Sequence, residues 1–379
     1  MSFFTHDPVG KRLLNLSAVR SALHAVRSAA HTVSVDRSRY YGFALGALML
    51  TGIPLVGRMT LRPRIFGVHG IAHTDSVPPD SEYVNTPAGR YHRSCVHEIA
   101  KFSHVNRDGR VTHPDGSSEQ LPICRYPIFD ALGAGTFAPP TDSGWMEFAE
   151  VLPTTGYNFH DITAVMKVPF APATTYSTGG KVFYEFPGLE PFNGQNILQP
   201  VLQYGNNGYF GGAYFTMAAW TCGTGTPWGC VYSTPDSVAT GDSIVGSIDA
   251  QSTTGGTNWA IQMNDVTRSL TTGHTWKDTL MYGQAFGGVV EVYNLTTCDE
   301  FPERPYYGGG NAYPFLAIAI DQYYNPYGTT YAGSATGSAL STPTWTTYVD
   351  SSASPSCNFV VHPDTTAVFL SQTYFRLIP

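Results

Sequence analysis

Residues 197–204 read ILQPVLQY, and the period of two in this stretch decides the fold. In an extended chain, Leu198, Pro200, Leu202 and Tyr204 fall on one side, and Ile197, Gln199, Val201 and Gln203 on the other. Pro200 lacks the N–H that a ladder needs, so the strand is expected to be an edge strand or locally distorted. Working outward, similar runs recur: KVFYEF at 181–186, AYFTMAAW at 213–220, SIVGSIDAQ at 243–251, GGVVEVYNL at 287–295 and YPFLAIAID at 313–321. Turns rich in Gly, Asn, Ser, Thr and Pro separate them, and no amphipathic helix stands between them. Strands without crossover helices favour antiparallel pairing. The expectation is therefore an all-β chain whose residues 151–379 form an antiparallel two-sheet β-sandwich.

Composition agrees. The 379 residues are only 13% charged, while aromatics reach 13% and Gly numbers 39. Such a chain is poorly suited to coiled coils, helical repeats or disorder. The net charge of −7 argues against a basic nucleic-acid-binding surface.

Charge is unevenly distributed. Residues 1–39 hold six Lys/Arg against two Asp and read as a basic cytoplasmic segment. Residues 40–57, YYGFALGALMLTGIPLVG, carry no charge, and arginines flank them on both sides. They read as a transmembrane helix or signal anchor that places the rest outside the cell or in a lumen, with cleavage and secretion as the alternative. Residues 58–150 are rich in Pro, Gly and His and read as a linker and an irregular N-terminal region, with a pro-segment as the alternative. The pairs His69/His73 and His92/His97 do not have diagnostic metal spacing, so no metal or cofactor is expected.

All six cysteines follow the apolar segment, which suggests disulfides in an oxidising compartment. Cys222 and Cys230 face each other across a short turn and pair most simply. Cys95–Cys124 and Cys298–Cys357 are conjectural.

Two side chains stand out for chemistry. Gln199 and Gln203 project together from one side of their strand. Glu291 is the only charge in 286–295 and lies on one face with Val289 and Tyr293. A carboxyl among apolar groups has a raised pKa, which suits a general acid or base. Each feature alone reads more simply as an ordinary solvent-facing residue. Asp142-Ser143-Gly144 occurs once, whereas aspartic-peptidase chemistry needs two carboxylates, so it reads as a turn. No G-x-S-x-G elbow or Walker sequence is present.

Taken in order, the stretch from about 181 to 300 resembles the glutamic peptidases, or eqolisins. Phe186-Pro187-Gly188-Leu189-Glu190 is similar to the family's W-V-G-I-D, and Ile197-Leu198-Gln199 to its I-L-Q. The 213–220 run resembles its aromatic strand. VATGDSI at 238–244 and VTRSLTTG at 266–273 resemble its following segments, and Val289-Val290-Glu291-Val292-Tyr293 its I-I-E-D-F. The resemblance implies a concanavalin-like jelly roll and acid endopeptidase activity on a polypeptide substrate. It makes Gln199 and Glu291 the catalytic pair, facing one open groove with room for water. Phe186, Glu190, Gln203, Trp220 and Tyr293 would contact substrate. The sequence also departs from the family. Ala219 precedes Trp220 where an acidic residue is expected, Gln203 replaces an Asp, Phe186 replaces Trp and Glu190 replaces Asp. These departures keep open a non-catalytic sandwich that binds carbohydrate or protein, or a structural surface protein.

Overall fold

A computed structural model describes residues 82–129, 135–136, 144–176, 180–223, 225–253, 256–302, 305–306, 310–324, 338–350, 355, 357–364 and 367–372. The basic segment, the apolar run at 40–57, and His69 and His73 lie outside the described residues. Among the described residues, no helix is long and apolar enough to cross a membrane.

Two large open sheets pack face to face, and among the described residues no α-helix accompanies them. One has nine strands. Along its path run Thr346–Val349, Trp145–Val151, Tyr282–Tyr293, Val182–Pro191, Asn196–Asn206, Gly211–Gly223, Cys230–Ser233 and Val96–Ile99. The other, of twelve strands, is centred on Gly310–Tyr324, Tyr157–Lys167, Ser243–Thr253, Gly256–Asp265 and Leu270–Asp278. Alternation builds the layer between them. Leu198, Leu202 and Tyr204 from one sheet join Ile162, Met166, Ile248 and Ile261 from the other in one buried cluster. Each such aliphatic side chain stabilises the fold by about 1.5–3 kcal/mol.

Pairing is mostly antiparallel, with two exceptions. Val96–Ile99 runs parallel to Cys230–Ser233, and His104–Asn106 runs parallel to Leu270–Asp278. The chain between 96 and 106 thus leaves the edge of one sheet and enters the other. The region 58–150, expected as linker and irregular chain, supplies these strands and also Trp145–Val151, which pairs with Tyr282–Tyr293. Its strands are short and broken by Pro and Gly, so periodicity did not mark them.

Pro200 lies not at an edge but in a central strand, where the expected distortion is found. The register between Val182–Pro191 and Asn196–Asn206 runs through Glu185↔Leu202 and resumes at Leu189↔Leu198, and Pro200 stands in the gap. The disulfides are Cys95–Cys124, Cys222–Cys230 and Cys298–Cys357. The second joins residues already paired across neighbouring strands.

Polar pairs bridge the sheets, among them Thr272–Ser233, Asn196–Asp278 and Thr221–His274. The Thr221 hydroxyl lies 2.8 Å from Nε2 of His274, and both side chains are buried. Burial pushes the His274 pKa down to about 3. The folded chain therefore holds this imidazole neutral, while the unfolded chain protonates it below its ordinary value of about 6.5. Stability from this group is complete above pH 6.5 and falls as pH drops toward 3. The expected slope is about 1.4 kcal/mol per pH unit in that window. Denaturant melts of the native chain and of His274→Gln between pH 7 and 3.5 check this: the substitution should flatten the dependence, and parallel curves would reject it.

Candidate active site

The outer face of the nine-stranded sheet, turned away from the inter-sheet layer, carries every sequence-predicted site residue. Glu291 pairs with Tyr184, and Tyr184 with Gln203, so these three form one row across three strands. Gln199 lies four residues along the same strand as Gln203 and pairs with Trp220. Phe186 pairs with Val289, and Tyr293 follows Glu291 by two residues. Strand alternation places Glu190 on this face as well. Gln199 and Glu291 thus share a face, two strands apart and diagonally offset.

The face is not open. Gln199 and Glu291 both have 0% exposure, and Glu190, Gln203 and Trp220 are buried with them. The covering element is a hairpin of Tyr83–Thr86 and Gly89–His92, turning at Pro87 and Ala88. Val84, Ala88 and Tyr91 pack with Trp145, Tyr184, Phe186, Val201, Trp220 and Tyr293 in a second apolar cluster, separate from the inter-sheet core. The expectation of a groove with room for water is corrected: the chain's own hairpin fills it. The sequence concealed this because the hairpin is short and lies in the region read as irregular.

Polar contacts define the chemistry beneath the hairpin. The Gln199 side-chain Nε2 donates to the carbonyl oxygen of Pro87. Its Oε1 accepts no hydrogen bond from the described residues. The Tyr184 hydroxyl donates to the carbonyl of Asn85 at 2.7 Å. Glu291 accepts from Trp145 Nε1 at 3.1 Å and from the Tyr293 hydroxyl at 2.5 Å. Burial, and then the nearby Glu291 carboxylate, push the hydroxyl pKa values of Tyr91, Tyr184 and Tyr293 up. The carboxyl group is therefore held among three phenols and an indole N–H in a site of low polarity. Gln203 serves the adjoining loop instead, donating to Gly205 O at 2.9 Å and Phe210 O at 3.2 Å. Trp220 stacks against Tyr232 and Phe210, which also meet each other.

Sequence reasoning missed Trp145, Tyr184 and Tyr91. Tyr184 carried a usable signal, since it stands two positions before Phe186 and so shares its face. Trp145 and Tyr91 come from strands that were not recognised. Sequence reasoning also missed Glu185 and Glu147, buried carboxylates that flank Val290 on the inter-sheet side.

Among the described residues, one group has the composition of a cation site. Ligand atoms of His160, Asp161 and Asp249 all lie within 4.8 Å of one another, on the outer face of the twelve-stranded sheet. Asp161 pairs with Asp249 on one side and Asp321 on the other. Burial works against the His160 imidazolium, yet the hydrogen bond to Asp161 and the three carboxylates leave its pKa raised. This group lies on the other sheet and takes no part in the Gln199–Glu291 face.

No family model matches the chain, and no curated protein does. Among solved structures, the chain is similar to SCP-B, a member of the eqolisin family of peptidases, in a complex with the tripeptide Ala-Ile-His. The two are 14% identical with a TM-score of 0.37, over 61% of this chain and 98% of that one.

The contacts to Glu291 make a testable unit. Trp145→Phe and Tyr293→Phe should each cost roughly 1–3 kcal/mol, the range for a buried hydrogen bond to a carboxylate. In a Glu291→Gln background the same substitutions should cost measurably less. Equal costs in both backgrounds, read from urea midpoints, would show that these donors do not serve Glu291.

Proposed function

We propose that the chain is a glutamic-peptidase-like endopeptidase that hydrolyses peptide bonds with Gln199 and Glu291. The observation that carries this reading is that the Gln199 amide already donates to a peptide carbonyl on the face that presents Glu291. A groove that binds a backbone carbonyl through a side-chain N–H has the donor an oxyanion needs.

In this mechanism Glu291 takes a proton from water as the water oxygen bonds to the scissile carbonyl carbon. Negative charge collects on the carbonyl oxygen, where Gln199 Nε2–H stabilises it. Gln199 Oε1, which accepts nothing from the described residues, is an acceptor for the second proton of that water. Glu291 then gives its proton to the nitrogen as the C–N bond breaks, leaving an acid and an amine. Trp145 and Tyr293 fix the carboxyl through its two oxygens. Tyr184 holds a second backbone carbonyl, two residues along the peptide. Phe186 and Trp220 shape the apolar floor. The three disulfides suit an oxidising compartment, where the chain is exported and tethered by the 40–57 segment.

A second reading has its own support. The complete burial of both residues, and their diagonal offset, favour a non-catalytic sandwich in which a former groove has become core.

One assay separates the two. Acid-denatured casein is incubated with the chain at pH 3–6, with and without a cut in the exposed turn at 93–94. The peptidase reading expects digestion after the cut. It also expects a loss of at least about 100-fold in Glu291→Gln and in Gln199→Ala, the scale for losing a general base or an oxyanion donor. Activity that survives both substitutions, or no digestion by the cut chain, overturns it.

A further inference from the structure

The hairpin relates to the cleft differently from an ordinary core element. It adds no strand to either large sheet and pairs only with Ile128–Phe129 in a small sheet of its own. Its bonds to the groove floor run from side-chain donors to backbone carbonyls: Tyr184 to Asn85 O, and Gln199 to Pro87 O. One carbonyl lies on the strand Tyr83–Thr86 and the other at the turn, so two side chains of the floor hold the backbone of the inserted tip. The tip inserts the small Ala88, fully buried. At the groove end, Asn85 N donates to Asn207 O at 3.1 Å. Gly208 has φ +103°, and a Cβ there would meet Val84 Cγ1 at 2.6 Å, so the loop is shaped to admit the hairpin.

Chain order adds a second argument. The hairpin precedes Cys95, the first residue bound into the body by a disulfide. Arg93 and Ser94, between the hairpin and that anchor, are exposed. One cut there leaves the body's three disulfides intact and separates the hairpin from it.

We propose that residues 83–92 are a built-in pseudo-substrate that occupies the cleft as a hairpin with its tip at Pro87 and Ala88, and that one cut between Arg93 and Ser94 releases it. This rests on the reading of the groove as a peptide cleft, and it specifies the occupant. The cleft takes a polypeptide turn with a small residue at its tip, held by two carbonyls.

Native-state hydrogen exchange on the full, unaltered chain is the first test. Amides of 83–92 should exchange through a local opening at least about tenfold faster than those of Asn196–Asn206. Gly208→Ala should quicken the hairpin selectively. Exchange of both segments at one common rate would make the hairpin core and overturn the proposal. The second test inserts a site-specific protease sequence between Arg93 and Ser94 of the full chain. After cutting, gel filtration in mild urea should show the hairpin fragment leaving a folded body. A synthetic peptide of residues 82–93 should rebind, about tenfold more weakly in Gln199→Ala. A body that unfolds when the fragment leaves, or a peptide that does not rebind, refutes the proposal. A body that rebinds the peptide yet never digests casein leaves the pseudo-substrate standing and removes the peptidase.

Discussion

The strand Asn196–Asn206 has no wet face, and much of the molecule follows from that constraint. One face packs Leu198 and Leu202 into the inter-sheet layer, where transfer of apolar area from water drives assembly. The other carries Ile197 and Val201 together with Gln199 and Gln203. Burying two amides is costly unless their donors and acceptors find partners. Gln203 is satisfied within its own loop. The Gln199 donor is satisfied only because the hairpin brings the Pro87 carbonyl to it. Opening the hairpin returns that donor to whatever fills the cleft, so packing and recognition are one interaction.

The inter-sheet architecture was legible because alternation is a local property. ILQPVLQY assigns each side chain to a face without reference to any partner, and both assignments hold in the structure. The pairing of the six cysteines also came out as conjectured. Side-chain direction does not reveal what lies above a face. An amide on the outer side of a sheet reads the same whether it meets water, substrate or another part of the chain. The Tyr83–His92 hairpin comes from a Pro- and Gly-broken region about 200 residues before Glu291 in the sequence, and no local pattern announces where it docks. Trp145 was hidden similarly, because it reaches Glu291 only through strand pairing. Pro200 shows the converse. Its chemistry correctly marked a break in a ladder, but a break is compatible with a central strand when the neighbour, at Pro187 and Gly188, interrupts the same stretch.

Electrostatics places bounds on the chemistry. Glu291 is gathered with Tyr91, Tyr184 and Tyr293, whose hydroxyl pKa values are raised by burial. Of the three, Tyr293 donates to the carboxyl, together with Trp145. His274 acts in the opposite sense. Held neutral between the sheets with a pKa near 3, it draws stability away as the solution is acidified. A histidine held neutral in this way favours the upper part of the acidic range over the most acidic conditions.

The distinction between plug and core finally turns on the type of bond. A core strand is joined to its sheet by backbone ladders, in which each N–H and C=O is consumed by a fixed neighbour. The hairpin meets the nine-stranded sheet through apolar contacts and through side chains that reach its carbonyls. Such donors bind a backbone without regard to sequence. Phe186 and Trp220 belong to the apolar cluster beneath the hairpin. An element evolved only to fill a void has no need of donors aimed at its backbone, since methyl groups would fill the space without the desolvation cost of an amide and a phenol. Their placement beneath Asn85 and Pro87 is the feature of this fold that packing alone does not account for.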